Sequence, residues 1–543
     1  MSLLGSLMGR IGRASAQQRP ADDLSGILAA GMDAFMCGDL AGAADLSEQA
    51  QTLAPRAPDA LYLAGVVSFA RGDCDIAIAY LEQAIEEGGP RPAYLKDYGS
   101  FLASVGRHRE GLAVLRRALA LQPDSVRIYS NLLFVMSCCD QLSPEEVYAA
   151  HRGFGETLAD PLLALRCVHA NSRDPGRVLT VGYVSADFRE HAMRYFIEPV
   201  LERHDHGNFR ILCYNNGAII DDVSTRLREY ADGWRDIRKL SDAKLVALMR
   251  ADAVDILVDL SGHTRGNRLM ALAHKPAPVQ ATWFGTVQTT GMKAMDWRIS
   301  DRHIDPEGKT EHLSRERLVR LAQSYACFRP HPDSPVVGPL PALHANSGQG
   351  ITFASFNAGH KINDAVVALW ARLINGVAGS QLLMVVEHGD LPDIRRVVAA
   401  RFEAQGLAPA RLKLTGRKPV GQFLGMFNEV DVLLDPFPQN GGITSLHALW
   451  MGVPVISLAG AAPIGRIGVS VLRQLGLESF LAGNADEYVH IARRCAQGLP
   501  ELAALRAGLR ARMRASTLMD EHAFIRELES AYRRMWREWC DAV

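Results

Sequence analysis

The stretch DVLLDPFPQNGGITSLHALWMGVPVISLAG, Asp431 to Gly460, is the one around which we take the fold to be organised. A short apolar run ends at Asp435, a β-branched run begins at Val453, and the pattern between them predicts a helix from about Thr444 to Met451. Strand, loop, helix and strand in this order predict a right-handed βαβ unit. A helix that starts directly after glycines presents free N–H groups to an anion. By spacing alone, an ordinary glycine-rich turn explains the loop equally well.

The composition limits the classes of protein to which this chain can belong. The chain has 543 residues, 48% hydrophobic and 22% charged, which is typical of globular proteins and predicts about three domains. With 59 basic and 60 acidic residues, bulk charge predicts neither a nucleic-acid nor a membrane partner. Nine scattered cysteines without a CxxC pair favour a reducing compartment over structural zinc, so we expect a cytoplasmic protein. The sequence predicts no membrane span.

After a tail at residues 1–23, predicted to be mobile, the segment 24–142 repeats itself every 34 residues. The recurring positions are Gly31, Gly65 and Gly99; Gly38, Gly72 and Gly106; and Ala50, Ala84 and Ala118. This is the spacing of tetratricopeptide repeats, in which helix pairs pack through small residues around a tight turn. Such stacks bind peptides or proteins, although a spacer or a dimer surface would show the same pattern.

Strands alternate with helices after a helical connector at 143–176. The first series, 177–330, has strands in VLTVGYVSADF, FRILCYNNG, DILVDLSGHT and VQATWFGTV. A proline-rich linker at 331–349 leads to a second series, 350–518, with strands in GITFASFN, SQLLMVVEHG, RLKLTG, DVLLDPF and VPVISLAG. This alternation predicts two doubly wound parallel sheets with a cleft between them. The last helix, at 519–543, is expected to pack across both domains.

Polar residues and glycines follow three strands of the first series. The candidates are Asp187 and His191 after the first strand, Ser261, His263 and Thr264 after the third, and Gly285, Thr289, Thr290 and Gly291 after the fourth. Ligands of doubly wound sheets bind at the carboxyl ends of the strands. We therefore expect these residues to line a binding site.

Five blocks of the sequence together resemble the O-linked N-acetylglucosamine transferase and SPINDLY-type glycosyltransferases. They are VGYVSADFREHAMRYFIEPVL, DILVDLSGHTRGNRL, KPAPVQATWFGTVQTTGMKAMDW, ITFASFNAGHKI and LDPFPQNGGITSLHALWMGVPVISLAG. The resemblance covers nearly the whole chain after residue 25 and implies α-helical tetratricopeptide repeats followed by an α/β GT-B region of two Rossmann-like domains. It also implies inverting transfer of a sugar, N-acetylglucosamine by default, from a nucleotide sugar to Ser or Thr of a protein. The expected donor substrate is a UDP-sugar, and neither a metal nor another cofactor is expected.

The resemblance assigns roles to residues of both domains. Lys361 matches the diphosphate-contacting lysine of the family, and the helix start at Ile443, Thr444 and Ser445 matches its second diphosphate contact. His191 matches a cleft histidine that acts as base or positioning group. His263 is matched as a catalytic-site histidine that positions the sugar or the acceptor. The other implied residues are Asn357, Gly441, Gly442, His447 and Phe423 at the donor, and Asp187, Thr264, Gly285, Thr289 and Thr290 at the sugar or acceptor.

Three positions depart from the family pattern. His447 stands where an acidic residue usually reaches the donor ribose, and Phe423 where a histidine usually contacts the nucleotide. The loop from Gly285 to Thr289 replaces the usual Gly-Tyr-Pro-Gly-Thr. These departures leave the donor open, with fucose, glucose or a nonulosonic acid from a CMP donor as alternatives. A non-catalytic repeat scaffold is the alternative from another class.

The acceptor is expected to be a protein or peptide bound by the repeats. Bacterial-type relatives with short repeat stacks are associated with flagellin or other surface proteins, which makes these a plausible acceptor class. Because the periodic core ends before the first catalytic strand, the repeats are expected to take no part in donor chemistry.

Overall fold

The computed structural model describes residues 20–166, 168–344 and 350–542. The chain forms two compact units, one ending at Phe101 and the other beginning at Leu102. Most of the predicted tail 1–23 lies outside the described residues, but the first helix already begins at Pro20. Within the described ranges, no helix has both the length and the apolar character needed to cross a membrane.

The predicted helical repeats are confirmed. Their helices are α1 (Pro20–Cys37), α2 (Leu40–Leu53), α3 (Pro58–Arg71), α4 (Cys74–Gly88), α5 (Pro92–Ser104) and α6 (His108–Leu121). The glycines between paired helices, Gly38, Gly72 and Gly106, have φ of 84°, 95° and 89°. Glycine adopts this left-handed backbone at little cost, which explains why the residue recurs at each turn.

Three more helices connect the repeats to the sheets: α7 (Val126–Met136), α8 (Pro144–Phe154) and α9 (Asp160–Leu163). Ser143 and Glu146 form a reciprocal capping box at the start of α8. The unit that begins at Leu102 therefore contains α6 and α7 together with both sheets. The predicted border at residue 142 does not coincide with this division, because the end of the repeat stack packs with the α/β region.

The first sheet is doubly wound and entirely parallel, in the order β3-β2-β1-β4-β5-β6-β7. Its strands are β1 (Leu179–Ser185), β2 (Phe209–Asn215), β3 (Gly233–Asp236), β4 (Ile256–Asp259), β5 (Val279–Thr282), β6 (Trp297–Asp301) and β7 (Arg317–Leu321). Its helices are α10 (Arg194–Arg203), α11 (Asp222–Glu229), α12 (Asp242–Ala251) and α13 (Leu269–Ala273). The sequence analysis missed β3, β6 and β7, in which charged residues interrupt the apolar pattern. In β6 one of the two charged residues is Arg298, which is buried in an ion pair with Asp305 at 2.8 Å.

The second sheet is also parallel, in the order β10-β9-β8-β11-β12-β13. Its strands are β8 (Thr352–Ser355), β9 (Gln381–Val385), β10 (Leu412–Thr415), β11 (Val432–Leu434), β12 (Val455–Leu458) and β13 (Leu481–Ala482). The helices are α14 (Pro341–His344), α15 (Asp364–Asn375), α16 (Pro392–Glu403), α17 (Val420–Gly425), α18 (Ile443–Trp450), α19 (Ile467–Gln474), α20 (Ala485–Gln497) and α21 (Leu499–Arg514). The predicted βαβ unit is β11-α18-β12, in which Leu433 pairs with Val455.

The last helix, α22 (Glu521–Asp541), returns to the first domain. Phe524, Leu528 and Tyr532 are buried in the core formed by the first sheet, and the Tyr532 hydroxyl lies 3.0 Å from that of Tyr183. The expectation that this helix packs across both domains is therefore wrong. Its apolar face completes the core of the first domain, while the chain leading to it comes from the second.

Candidate active site

A buried carboxylate holds the loop that follows β11. Asp435 accepts hydrogen bonds from the backbone N–H of Gly441 and from the hydroxyl of Ser457, both at 2.6 Å. Burial raises the pKa of Asp435 to about 6, whereas these hydrogen bonds and the nearby Lys361 act to lower it. A side chain at Gly441 would come within 2.7 Å of Asp435 and 2.9 Å of Asn357. The loop can therefore turn tightly here only because residue 441 is glycine.

Helix α18 begins directly after this loop without a side-chain cap. Gly442 occupies the N-cap position, and the N–H of Leu446 donates to the carbonyl of Gly442 at 3.2 Å. The N–H groups of Ile443, Thr444 and Ser445 have no acceptor within the helix. Ile443 and Thr444 are partly exposed. An uncapped and accessible helix start of this kind favours an anion.

Lys361 stands beside the same loop. It ends the 3-10 turn Gly359–Lys361 after β8, and its Nζ donates a hydrogen bond to the carbonyl of Asn440 at 2.8 Å. Burial lowers the pKa of Lys361, an effect that Cys138 and Asp435 oppose. The ammonium group of Lys361 and the start of α18 thus meet at the loop that contains Asn440. The binding of a diphosphate requires such neighbouring groups. No cluster of three or more potential metal ligands occurs in the part of the chain that the structure describes.

The first domain places Asp187 and His191 after the carboxyl end of β1. The Nδ1 atom of His191 accepts a hydrogen bond from the N–H of Met193 at 3.4 Å and lies 3.9 Å from a carboxylate oxygen of Asp187. Because Nδ1 accepts this hydrogen bond, the neutral ring carries its proton on Nε2. In the other tautomer the proton would be on Nδ1 and would face Asp187. Burial lowers the pKa of His191, and Asp187 partly offsets that effect. The imidazole is therefore neutral at pH 7.

A ring contact joins the two halves of the cleft. Tyr195, four residues after His191, meets His447, four residues after Ile443, with ring centroids 4.7 Å apart. One ring belongs to α10 and the other to α18, so the contact packs the helix after the His191 loop against the helix that begins at Ile443.

His447 is buried among aromatic rings. Its ring centroid lies 5.8 Å from that of Phe328 and 6.3 Å from that of Phe423, and only 3% of the residue is exposed. Burial, reinforced by the positive charge of His331 and Arg194, lowers the pKa of His447 to about 3. Its Nδ1 has no hydrogen-bond partner among the described residues. His447 thus has a neutral ring and a nitrogen without a hydrogen-bond partner among the described residues. It stands at the position where the family usually has an acidic residue that reaches the donor ribose.

His263 occupies a different position from the one expected of a catalytic histidine. Its Nε2 donates a hydrogen bond to the carbonyl of Thr290 at 2.9 Å, and its Nδ1 lies 3.3 Å from the hydroxyl of Ser130, which donates to it. Burial, together with the nearby His151, lowers the pKa of His263 to about 3. Because both ring nitrogens are engaged, His263 ties α7 to the loop after β5 and has no nitrogen left to accept a proton.

The loop after β5 is organised by a carboxylate that the sequence analysis missed. Glu316 accepts hydrogen bonds from the hydroxyl of Thr289 at 2.6 Å and from the backbone N–H of Thr290 at 2.7 Å. A side chain at Gly285 would collide with the Leu260 carbonyl at 2.3 Å. Thr289 and Thr290 thus shape the loop through Glu316. No motif marks Glu316, because it follows this loop by 26 residues in the chain.

The last repeat also reaches this site. The Nε2 atom of His108 in α6 donates to the carbonyl of His360 at 2.6 Å, and the thiol of Cys138 after α7 donates to the Gln439 side chain at 2.8 Å. His360 precedes Lys361, and Gln439 lies in the loop before α18. These contacts join the end of the repeat stack to the segments that carry the expected donor residues, a proximity that the sequence analysis did not predict. The chain separations of 252 and 301 residues explain why no local pattern indicated these contacts.

Two doubly wound parallel domains with a cleft between them define the GT-B class of fold. A family model described as glycosyl transferase family 41 matches residues 165–328 and 343–528. The chain belongs to this family.

Similar proteins agree with that assignment. A probable UDP-N-acetylglucosamine-peptide N-acetylglucosaminyltransferase SPINDLY from Solanum lycopersicum is 37% identical over 429 residues, which are 78% of this chain and 45% of the relative. The corresponding probable transferase SEC from Arabidopsis thaliana is 28% identical over 67% of this chain and 37% of its own length. This chain thus spans less than half the length of these plant relatives. A mutant of Thermobaculum terrenum O-GlcNAc transferase matches with a TM-score of 0.90 and 36% identity over 96% of this chain and 99% of that one.

Proposed function

We propose that this chain is an inverting protein O-glycosyltransferase that moves a sugar from a nucleotide sugar to Ser or Thr of a protein. The observation that carries the proposal is the position of Lys361 beside the uncapped start of α18, where two sources of positive charge meet. A leaving nucleoside diphosphate gains negative charge as the glycosidic bond breaks, so this is the charge that the reaction must stabilise. The proposal requires no metal, because these groups supply the positive charge.

In the proposed reaction, the acceptor hydroxyl bonds to the anomeric carbon while the bond from that carbon to the diphosphate oxygen breaks. The hydroxyl proton needs an acceptor, and the neutral imidazole of His191 is the candidate. A base at Nε2 requires the proton on Nδ1, which is the opposite of the tautomer that the hydrogen bond from Met193 favours. The carboxylate of Asp187, 3.9 Å from Nδ1, would stabilise the required tautomer in place of that bond. Asp187 is thus proposed to orient His191.

The remaining site residues divide between the two substrates in this proposal. The donor contacts are Asn357, Phe423, Gly441, Gly442, Ile443, Thr444, Ser445 and His447, and the residues that shape the sugar or acceptor side are Thr264, Gly285, Thr289, Thr290 and, as a structural support, His263. N-acetylglucosamine from UDP is the sugar that the names of the relatives support. The acceptor is proposed to be a protein bound by the repeats, with flagellin or another surface protein as the plausible class and the cytoplasm as the place of reaction.

The neutral His447 favours a second candidate for the nucleotide. A ribose diol donates two hydrogen bonds to a carboxylate, whereas a neutral imidazole offers one acceptor nitrogen. Phe423, whose ring meets those of Phe427 and His447 edge to face, has no hydrogen-bonding group for a base. A donor other than a UDP-sugar, such as a sugar carried by CMP or GDP, is therefore the alternative.

Mass spectrometry of proteins from cells with and without this gene tests the proposal. We expect a protein whose Ser or Thr residues carry an added sugar only when the gene is present, and the added mass names the sugar. Cells that carry the Lys361→Met variant are the control and should resemble cells without the gene. Modification that persists in the Lys361→Met cells would contradict the proposed site.

A further inference from the structure

The turn that carries Lys361 is held from the side of the repeats. His108 begins α6, is 4% exposed, and donates from Nε2 to the carbonyl of His360 at 2.6 Å. Phe134 of α7 packs its ring against the ring of His360, with centroids 4.9 Å apart. A side chain at Gly359 would lie 3.1 Å from the carbonyl of Ser104. The turn Gly359–Lys361 is therefore packed closely against the end of the repeat stack.

The loop before α18 is tied to the same end of the stack. The thiol of Cys138 donates to the side-chain oxygen of Gln439 at 2.8 Å. Asn363 donates from Nδ2 to the carbonyl of Cys138 at 3.1 Å and to the carbonyl of Phe437 at 2.7 Å. Asn363 is 1% exposed, and its Oδ1 accepts from the N–H of Val366 and caps α15. One buried amide thus joins the repeat, the loop and the helix that follows Lys361.

These contacts have a geometric consequence for Lys361. The hydrogen bond from its Nζ to the carbonyl of Asn440 spans the gap between the turn and the loop. Both sides of that gap are attached to the end of the repeat stack, the turn through His108 of α6 and the loop through Cys138 after α7. Electrostatic stabilisation of a leaving group depends on donors that are held in place before the reaction. Helices α6 and α7 therefore have the contacts needed to set the separation of Lys361 from the start of α18.

We propose that the end of the repeat stack, α6 together with the connecting helix α7, positions the diphosphate site, with His108 as a positioning residue that acts through Lys361. This inference rests on the proposed function and deepens it, because it makes the acceptor-binding repeats a structural part of the donor site. It gives the buried His108 and Cys138 a role that the periodic pattern of the repeats does not require.

The test compares full-length variants by titration calorimetry with UDP and GDP, and with CMP as a probe that lacks a diphosphate. His108→Ala removes the hydrogen bond to the turn, and His108→Gln keeps an N–H donor at that position. Arg109→Ala is the matched control, because Arg109 is the next residue of α6 and donates to Gln141 at 3.1 Å, away from the turn. We expect His108→Ala to weaken nucleoside diphosphate binding about tenfold, with His108→Gln and Arg109→Ala each within about threefold of the parent. CMP binding should be unaffected.

A double-mutant cycle separates positioning from a general structural effect. If His108 acts through Lys361, His108→Ala should weaken binding by less than about twofold in a Lys361→Met background. A full and additive loss in that background, or unchanged binding in folded His108→Ala, would overturn the inference while leaving the proposed function intact. If the parent binds CMP but neither UDP nor GDP, this inference fails and the alternative CMP donor stands. If the parent binds none of the three nucleotides, both proposals fail.

A second pair of variants covers the case in which His108→Ala does not fold. Cys138→Ala removes the thiol donor to Gln439, and Cys138→Ser supplies a hydroxyl donor in its place. Weaker UDP or GDP binding in Cys138→Ala, restored by Cys138→Ser, would support the inference. Equal binding in the parent and in folded Cys138→Ala would contradict it.

Discussion

The rings of Tyr195 and His447 meet edge to face, with centroids 4.7 Å apart and planes at 89° to each other. Tyr195 belongs to α10, the first helix after the loop of His191, and His447 belongs to α18, the helix that begins after the glycine loop. This contact packs α10 of the first domain against α18 of the second. The imidazole is neutral because burial, reinforced by His331 and Arg194, lowers the pKa of His447 to about 3.

The first prediction concerns the nucleotide. We expect His447→Asp to increase the thermal stabilisation of the protein by the nucleotide it binds, because a carboxylate accepts both hydrogen bonds of a ribose diol. A thermal-shift panel of UDP, CMP, GDP and their sugars measures this, with His447→Asn as the uncharged control. The parent should discriminate weakly between uridine and cytidine nucleotides. Tight and selective stabilisation of the parent by UDP, unchanged in His447→Asp, would show that the histidine is neutral in its effect.

The second prediction concerns the leaving group. Lys361→Met should leave the melting temperature nearly unchanged and lower turnover by about a hundredfold or more, because one preorganised contact to developing charge is lost. Lys418→Met is the control, since Lys418 belongs to the same domain but pairs with the exposed Asp390 at 3.1 Å. Transfer to the acceptor protein, measured by intact mass over time, gives the rates. Turnover of Lys361→Met within about threefold of the parent would remove Lys361 from the site.

The third prediction concerns the proton acceptor. Burial lowers the pKa of His191 below its ordinary value of 6.5, so turnover should be constant above that pH and decrease as the pH falls through the lowered pKa. Asp187→Asn should reduce turnover at pH 7.5 by about tenfold or more, because an amide no longer favours a proton on Nδ1. Donor affinity should not change. A pH profile of His191→Asn that keeps the same acidic limb would show that another group titrates.

The fourth prediction concerns β6, one of the strands that the sequence pattern failed to indicate. Arg298 and Asp305 form a two-pronged ion pair, with both N–H···O distances 2.8 Å and at most 1% of either side chain exposed. Arg298→Met should destabilise the protein by about 3 to 5 kcal/mol, because it leaves a buried carboxylate without its partner. The control Arg417→Met removes an exposed pair with Glu387 and should cost less than about 1 kcal/mol. Urea unfolding monitored by tryptophan fluorescence compares the two variants.

Local patterns were sufficient for the repeats and for most strands. Glycines spaced 34 residues apart were predicted at tight turns, and Gly38, Gly72 and Gly106 have the left-handed backbone that such turns require. The apolar run before Asp435 and the β-branched run after Val453 became neighbouring parallel strands. Each of these features depends on residues close together in the chain, so the order of residue types is sufficient to indicate it.

The sequence by itself determined the helical repeats, the two doubly wound sheets and the glycine loop before α18. Only the tertiary structure decided that α22 completes the first domain, that His263 is occupied by Thr290 and Ser130, and that His108 reaches the turn of Lys361. These contacts join side chains that are far apart in sequence, and the identity of each partner depends on how the folded elements pack. A hydrogen bond between residues 252 positions apart leaves no periodic signal in the chain, which is why packing alone reveals it.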